Sequence, residues 1–315
     1  MNILIKSARI IDSNSIYHNQ IMDILIRNGK IDKISKSIKK SKESKKEIEF
    51  SAKNLHVSTG WMDLHANFRE PGFEQKDDLE TGINSAIQGG FTSVLLMPET
   101  LPVIDNKSNI DFIKNKTSNS IIDVHTSGAV TKNMKGKELV EMHDMNSTGC
   151  RIFTDDKKSI QNNKVLEIAL LYSKDINGLI MNYPNDHSIS KDGVINEGWI
   201  STKIGMKGIP NIAEEIMLSR DIKMSEYTNS PIHTSYVSTK DSVRMINEAK
   251  RKGIKITSDV SINNIVLCED STQSFDTRYK VLPPLRTQKD IKSLIKGLKN
   301  GTIDVISTDH SPRRD

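Results

Sequence analysis

The chain opens with two stretches in which apolar and polar positions alternate. In MNILIKSARII and MDILIRNGKIDKIS the apolar side chains fall on every second residue, the period of a half-buried strand. Asn28-Gly29 places a turn signal between the short strands of the second stretch. The run IKKSKESKKEIE that follows has many charges and no apolar periodicity, and reads as a solvated loop. From Val57 the pattern changes, and short apolar or β-branched runs are separated by longer amphipathic ones. The strand candidates are WMDLHAN, TSVLLMPET, IIDVHTSGAV, CRIFTDD, GLIMNYPND, SPIHTSYVST, IKITSDVSI and IDVISTDHSP. Between them LETGINSAIQGG, NKVLEIALLYSKD, KDSVRMINEAKRKG and QKDIKSLIKGLKNG carry apolar residues at helical spacing. Glycine at several of these helix ends suits a left-handed cap. Eight β-then-α units predict an α/β fold, a closed parallel (β/α)₈ barrel over residues 57–315, with residues 1–56 as a separate β-rich unit. An open doubly wound sheet is the structural alternative. No glycine-rich phosphate fingerprint follows any strand to support a dinucleotide site.

Composition narrows the function classes. At 315 residues the chain suits one barrel with a small accessory unit. The net charge of +5 is carried by scattered lysines, and aromatics are 5%, which argues against a nucleic-acid stacking platform. Two cysteines, Cys150 and Cys268, form neither a CxxC pair nor a disulfide framework. The N-terminus lacks the uninterrupted apolar stretch of a signal peptide, and no run reaches the length of a membrane helix. These features lead to the expectation of a soluble cytoplasmic protein.

Nearly every strand candidate ends in residues able to do chemistry: His65 and Asn67, Glu99, Asp155 and Asp156, Asn182, Tyr236, Asn263, and Asp309 with His310. In a barrel these C-terminal ends converge on one mouth. Polar residues also end strands simply because loops begin there, so one such end signifies nothing, whereas seven favour a site.

The stretch GWMDLHANFREPGFEQKDDLETG, followed by GGFTSVLLMPETLPVIDN, closely resembles the dihydroorotases, metal-dependent cyclic-amide hydrolases of the amidohydrolase superfamily. GAVTKNMKGKELVEM, FTDD, VINEG, HTSYVST, YKVLPPLRT and GTIDVISTDHSP continue the resemblance in order, from about residue 3 to residue 312. It implies an amidohydrolase barrel and an accessory β-sandwich made from both termini, of which the N-terminal part is present here. It also implies two divalent metals, usually zinc, bridging a hydroxide whose pKa they lower. That hydroxide attacks the cyclic amide, an Asp at the end of strand eight shuttles the proton, and an Arg after strand one grips the substrate carboxylate. The reverse reaction closes carbamoyl-aspartate to dihydroorotate in pyrimidine synthesis. The chain stops just after strand eight, so the eighth helix and the partners of the N-terminal strands are expected to be missing from it.

By that resemblance the six ligand positions fall on His65, Asn67, Asp156, Asn182, Tyr236 and Asp309. His65, the bridging carboxylate Asp156 and the proton-shuttling Asp309 keep a ligand type, while Asn67, Asn182 and Tyr236 stand where the family has histidine. Neutral imidazole is a good zinc ligand, an amide oxygen a much weaker one, and a phenol rarely ionises for zinc. Zinc is therefore expected to be weak or absent. Arg69 keeps the carboxylate grip, but Glu99 stands at an Asn position and would repel an anionic substrate. Asn263, Leu282 and Arg313 depart from the family pattern as well.

Each residue also has a structural reading. His65 is equally a relic hydrogen-bonded imidazole, Asp309 a loop cap, and Asp155 and Asp156 turn residues. Arg69 could pair with Glu70, Glu74 or Glu99. His233 reads as a packed strand residue, and His310 as a hydrogen-bond donor at the mouth. His125, His143 and His187 lack ligand-type neighbours at useful spacing. Three functions follow. One is a non-catalytic dihydroorotase homologue acting through protein contacts, with aspartate transcarbamoylase or with itself. Another is an active hydrolase with a reduced metal site on His65, Asp156 and Asp309, turning over dihydroorotate and carbamoyl-aspartate. The last is a truncated, decaying gene product.

Overall fold

The computed structural model describes residues 2–39 and 47–312. The chain divides into two compact units, Met1–Trp61 and Met62–Asp315.

The first unit is a sheet of β1 (Asn2–Ile11), β2 (Ile21–Arg27), β3 (Lys30–Ser35), β4 (Glu47–Phe50) and β5 (His56–Ser58). Strand β1 pairs antiparallel with β2 and β2 with β3, while β4 and β5 both run parallel to β1. The β2–β3 turn has φ +51° at Asn28 and +76° at Gly29, the doubly left-handed backbone that an Asn-Gly pair tolerates best. The alternation seen in sequence places Ile10, Met22 and Ile24 in one apolar cluster and Leu4 and Leu25 in another, which Ile38, from the run read as a solvated loop, joins. Of the lysine-rich run read as a loop, residues 40–46 lie outside the described residues, and its end, Glu47–Glu49, is not loop but part of β4, paired with β1.

Asp23 is buried and joins three segments of this unit. It accepts hydrogen bonds from Lys6 Nζ at 2.5 Å and from the Ser7 and Ile38 amides at 2.8 Å. Burial by itself would raise its pKa, but the Lys6 ion pair and the two amides outweigh that and hold the carboxyl below its usual range. A folded pKa below the unfolded one means stability that is present above about pH 3.9 and is lost as pH falls through the folded value. We therefore expect Asp23→Asn to cost about 1–3 kcal/mol in urea unfolding at pH 7. The gap to the unaltered protein should narrow below about pH 4. A gap of constant size from neutral pH to pH 3 would rule out this role.

The second unit is the barrel. Its strands are β6 (Trp61–Ala66), β7 (Phe91–Leu96), β8 (Asp123–Thr126), β9 (Ile152–Phe153), β10 (Leu179–Asn182), β13 (Ile232–Thr234), β14 (Ile256–Ser261) and β15 (Val305–Ser307). They pair side by side in two runs, β6-β7-β8 and β9-β10-β13-β14-β15. Two parallel bridges join the runs, Gly128 to Phe153 and Ala66 to His310, and the ring of eight closes. At the closing seam the Asn67 amide donates to the His310 carbonyl at 2.9 Å, and between the ends of β6 and β7 the Met97 amide donates to the Ala66 carbonyl at 3.0 Å. All eight strands predicted from the apolar runs are present, in a parallel barrel. A small parallel pair, β11 (Ile195–Asn196) and β12 (Gly208–Ile209), is inserted between β10 and β13. The pattern did not foretell it, because two residues are too few to show a period.

The helices predicted from amphipathic spacing form at Leu79–Gln88, Asn163–Asp175, Lys240–Arg251 and Gln288–Lys299. Each begins on a side-chain cap, from Asp78, Asn162, Thr239 and Thr287 respectively. Their apolar faces supply Val165, Leu166, Val243, Ile246 and Leu294 to one continuous core with the strand residues Val94, Phe153, Ile180 and Ile256. The first helix lies so close to the end of β6 that a Cβ on Gly82 would come within 2.3 Å of the Phe68 ring. This contact fixes the segment that carries Arg69. Cys150 is buried and its thiol is pushed up to about 11 by burial, so it is inert at neutral pH. Among the described residues no helix is long and apolar enough to cross a membrane.

Candidate functional site

The C-terminal strand ends bring together His65, Asn67, Arg69, Asp156, Asn182 and Tyr236, all buried, and Asp309, whose side chain is 7% exposed. Four of them have left-handed backbone: Arg69 (φ +61°), Asp156 (+50°), Tyr236 (+56°) and Asp309 (+58°). Such backbone is unfavourable for a side-chain-bearing residue and is kept where surrounding structure imposes it, typically where strands turn into site loops.

The deepest group is a His–Asp–His arrangement. His65 Nε2 and His233 Nε2 both lie 2.8 Å from Asp259 Oδ2. Asp259 Oδ1 accepts from the Tyr236 amide at 3.2 Å and from Ser307 Oγ at 3.0 Å. Burial opposes ionisation of Asp259, but His65 and His233 overcome it and hold the carboxyl far below its usual value. Because it is ionised, both imidazoles donate to it. Burial likewise disfavours a charged His65, yet Asp259, Asp156 and Asp63 together raise its pKa. His65, His233 and Asp259 each offer a ligand atom, all within 4.8 Å of one another, so the same three could surround one ion.

Above this group several side chains pair with one another, while Asn67 Oδ1 and Asp156 Oδ1 are buried without a hydrogen-bond partner. Asn67 Nδ2 donates to Asp156 Oδ2 at 3.3 Å. Asn182 Nδ2 donates to Asp221 Oδ2 at 2.7 Å, and its Oδ1 accepts from the Ile160 amide at 3.4 Å. Burial first, and then the carboxylates of Asp309 and Asp156, keep the Tyr236 phenol far above its ordinary pKa and therefore neutral. Its ring lies 4.1 Å from the His65 ring and edge-on to Tyr183. Lys157 Nζ lies 2.7 Å from Asp309 Oδ1 and 4.8 Å from the centre of the Tyr236 ring. Arg69 donates from Nη1 to Glu99 at 2.8 Å and from Nη2 to Ser311 Oγ at 2.5 Å. Burial raises the pKa of Asp156, opposed by Lys157 and reinforced by Glu99. Asp309 is raised by burial as well, against Lys157 and His65.

Residues 55–242 match the sequence profile of the family described as Dihydro-orotase-like. The dihydroorotase of Acetivibrio thermocellus is 42% identical over 310 residues, an alignment covering 98% of this chain and 72% of that protein. The chain belongs to the dihydroorotase family. The dihydroorotase of Trichlorobacter lovleyi is 38% identical, with 99% of this chain and 73% of that one aligned. Among solved structures, the L-hydantoinase (dihydropyrimidinase) of Arthrobacter aurescens superposes with a TM-score of 0.84 at 19% identity, covering 99% of this chain and 69% of its own. The D-hydantoinase (dihydropyrimidinase) of a Thermus species gives 0.79 at 21% identity, covering 99% and 69%. At such identities these hydantoinases establish the barrel fold.

Against this family background, the structure gathers the six positions read as metal-ligand sites at one mouth, with Arg69 beside them. It also places residues that sequence reasoning gave other readings. His310 turns to Asp77 Oδ2 at 3.0 Å and packs edge-on against Phe68, so it serves the loop before the first barrel helix and not the mouth. Asp155 latches the segment after β8, accepting from the Val130 and Thr131 amides at 2.8 and 3.0 Å, and burial pushes its pKa up to about 6. His233, read as a packed strand residue, faces Asp259. Asp259 and Lys157 were not singled out at all. A carboxylate in the interior of the strand ITSDVS was a signal for the first, and a lysine directly after the Asp pair of FTDD for the second. Asn263 is half-buried in a short helix capped by Ser261, Leu282 is half-buried, and Arg313 lies outside the described residues.

Proposed function

We propose that this member of the dihydroorotase family is non-catalytic: a pseudoenzyme whose mouth does not hold the paired divalent ions of the family reaction. The observation that carries this reading is the direction in which the donors point. At the positions of Asn67 and Asn182, amide NH₂ groups are turned toward the carboxylates of Asp156 and Asp221. An amide nitrogen turned that way has no lone pair to offer a metal, which leaves only the amide oxygen, a much weaker zinc ligand than the imidazole it replaces. At the third altered position Tyr236 is a neutral phenol, a poor zinc ligand. The residues present therefore do not fit a bridged metal pair. The substrate grip is also occupied, because Arg69 pairs with Glu99 of its own chain. In this reading the intact barrel serves pyrimidine synthesis through protein contacts, with aspartate transcarbamoylase or a second copy as the partner.

Purified protein dialysed against trace zinc is expected to retain far less than one ion per chain, and to hydrolyse no dihydroorotate above the protein-free rate. Two ions per chain with chelator-sensitive turnover would overturn the reading. A second reading, a single-metal hydrolase, draws on the closeness of His65, His233 and Asp259. It requires one ion per chain with turnover that a chelator abolishes, so the same measurement separates the two.

A further inference from the structure

We propose that Lys157 is a built-in substitute for the metal: its ammonium supplies the positive charge that the mouth carboxylates require and excludes divalent ions from their place. The inference rests on the non-catalytic reading and explains how such a mouth stays stable without an ion.

A family site of this kind gathers carboxylates and then offsets them with bound cations. Here Asp156 is still present and buried, and the side chain of Asp309 is largely covered. Stripped of a cation, they would be like charges in a poorly solvated space, an unfavourable arrangement unless it is compensated. Lys157 directly follows Asp156 in the chain, and the left-handed backbone at Asp156 turns the strand end there. Its Nζ sits 2.7 Å from Asp309 Oδ1 and 2.8 Å from Oδ2, so one ammonium spans both oxygens of the carboxylate read as a metal ligand. The Lys157 ammonium also lies over the face of the Tyr236 ring, at the position of a lost histidine. A tyrosine ring accepts a cation that an ion-bound imidazole would repel. The altered residue Tyr236 and the neighbouring Lys157 thus support each other. A divalent ion reaching Asp309 would have to displace an ammonium already bonded there. The lysine side chain is largely covered, so the pair is not an ordinary surface salt bridge.

The test uses the full chain, with Lys157→Met as the variant that keeps the length of the side chain and removes its charge. In chelator its melting midpoint is expected to fall by about 5–10 °C. Adding zinc ion should recover at least half of that fall in the variant and leave the unaltered protein within about 1 °C. A Lys157→Met midpoint equal to that of the unaltered protein in chelator would overturn the proposal, as would an equal zinc response in both. If Lys157→Met does not fold in chelator, the double variant with Asp309→Asn decides. Removing both members of the pair should restore folding, and failure to do so counts against the proposal. Turnover is recorded in parallel on the unaltered protein: activity there overturns the non-catalytic reading, whatever the melts show. A zinc response confined to Lys157→Met supports the substitution even if neither protein is active.

Discussion

Replacing Asp259 with alanine is expected to be the most damaging single change in the barrel, costing on the order of 3–5 kcal/mol. The carboxylate accepts from His65, His233, the Tyr236 amide and Ser307. Removing it strands buried donors on three strands at once, and stranded donors cost far more than the net worth of their bonds. The loss should depend on pH in a stated way. Asp259 is held below its unfolded pKa, so its contribution is present above about pH 3.9 and fades as pH falls toward the folded value. His65 is raised, so its contribution is full below about pH 6.5 and is lost as pH rises through the folded value. The difference in denaturant midpoint between the two proteins should therefore be widest between about pH 4 and 6.5. A loss below about 1 kcal/mol throughout that window would mean the His–Asp–His arrangement is incidental.

The second large effect is a gain. Asn67→His, Asn182→His and Tyr236→His combined with Lys157→Ala are expected to raise zinc affinity at least about 100-fold, read by competition with a chromophoric chelator. Even an outer partner of a metal ligand is worth about 10–100-fold, and here three inner donors are added while an ammonium is removed. The surroundings favour the exchange. Asp221, now bonded to Asn182, would accept from the far nitrogen of a histidine at that position and orient it. An unchanged affinity would show that the cause of weak metal binding lies outside these four positions.

The barrel was legible in the sequence because parallel strands covered on both faces appear as dense apolar runs, and TSVLLMPET or GLIMNYPND can hardly be anything else. The helices between them were legible from their spacing and their Asp, Asn and Thr caps. The mouth was legible as a set of strand ends. What each end touches was not, since a period along the chain carries no distance between strands. Asp259 and His233 sit on neighbouring strands at a register that no spacing reveals. Lys157 looks like one solvated lysine among many until the fold brings Asp309 beside it. The reading of Arg69 left several carboxylates open, and geometry selects Glu99.

The seam where the ring closes has its own consequence. The Thr308 amide bonds to Asp63 across 245 residues, and the first and last barrel strands meet there. Assembly of the ring must wait until nearly all of the described chain has left the ribosome. Until then the two flanking edges stay open and available to wrong partners. Loops of that length close slowly for their stability. A ribosome stalled before β15 should thus carry a chain that binds chaperones, and a release of only a few more residues should free it.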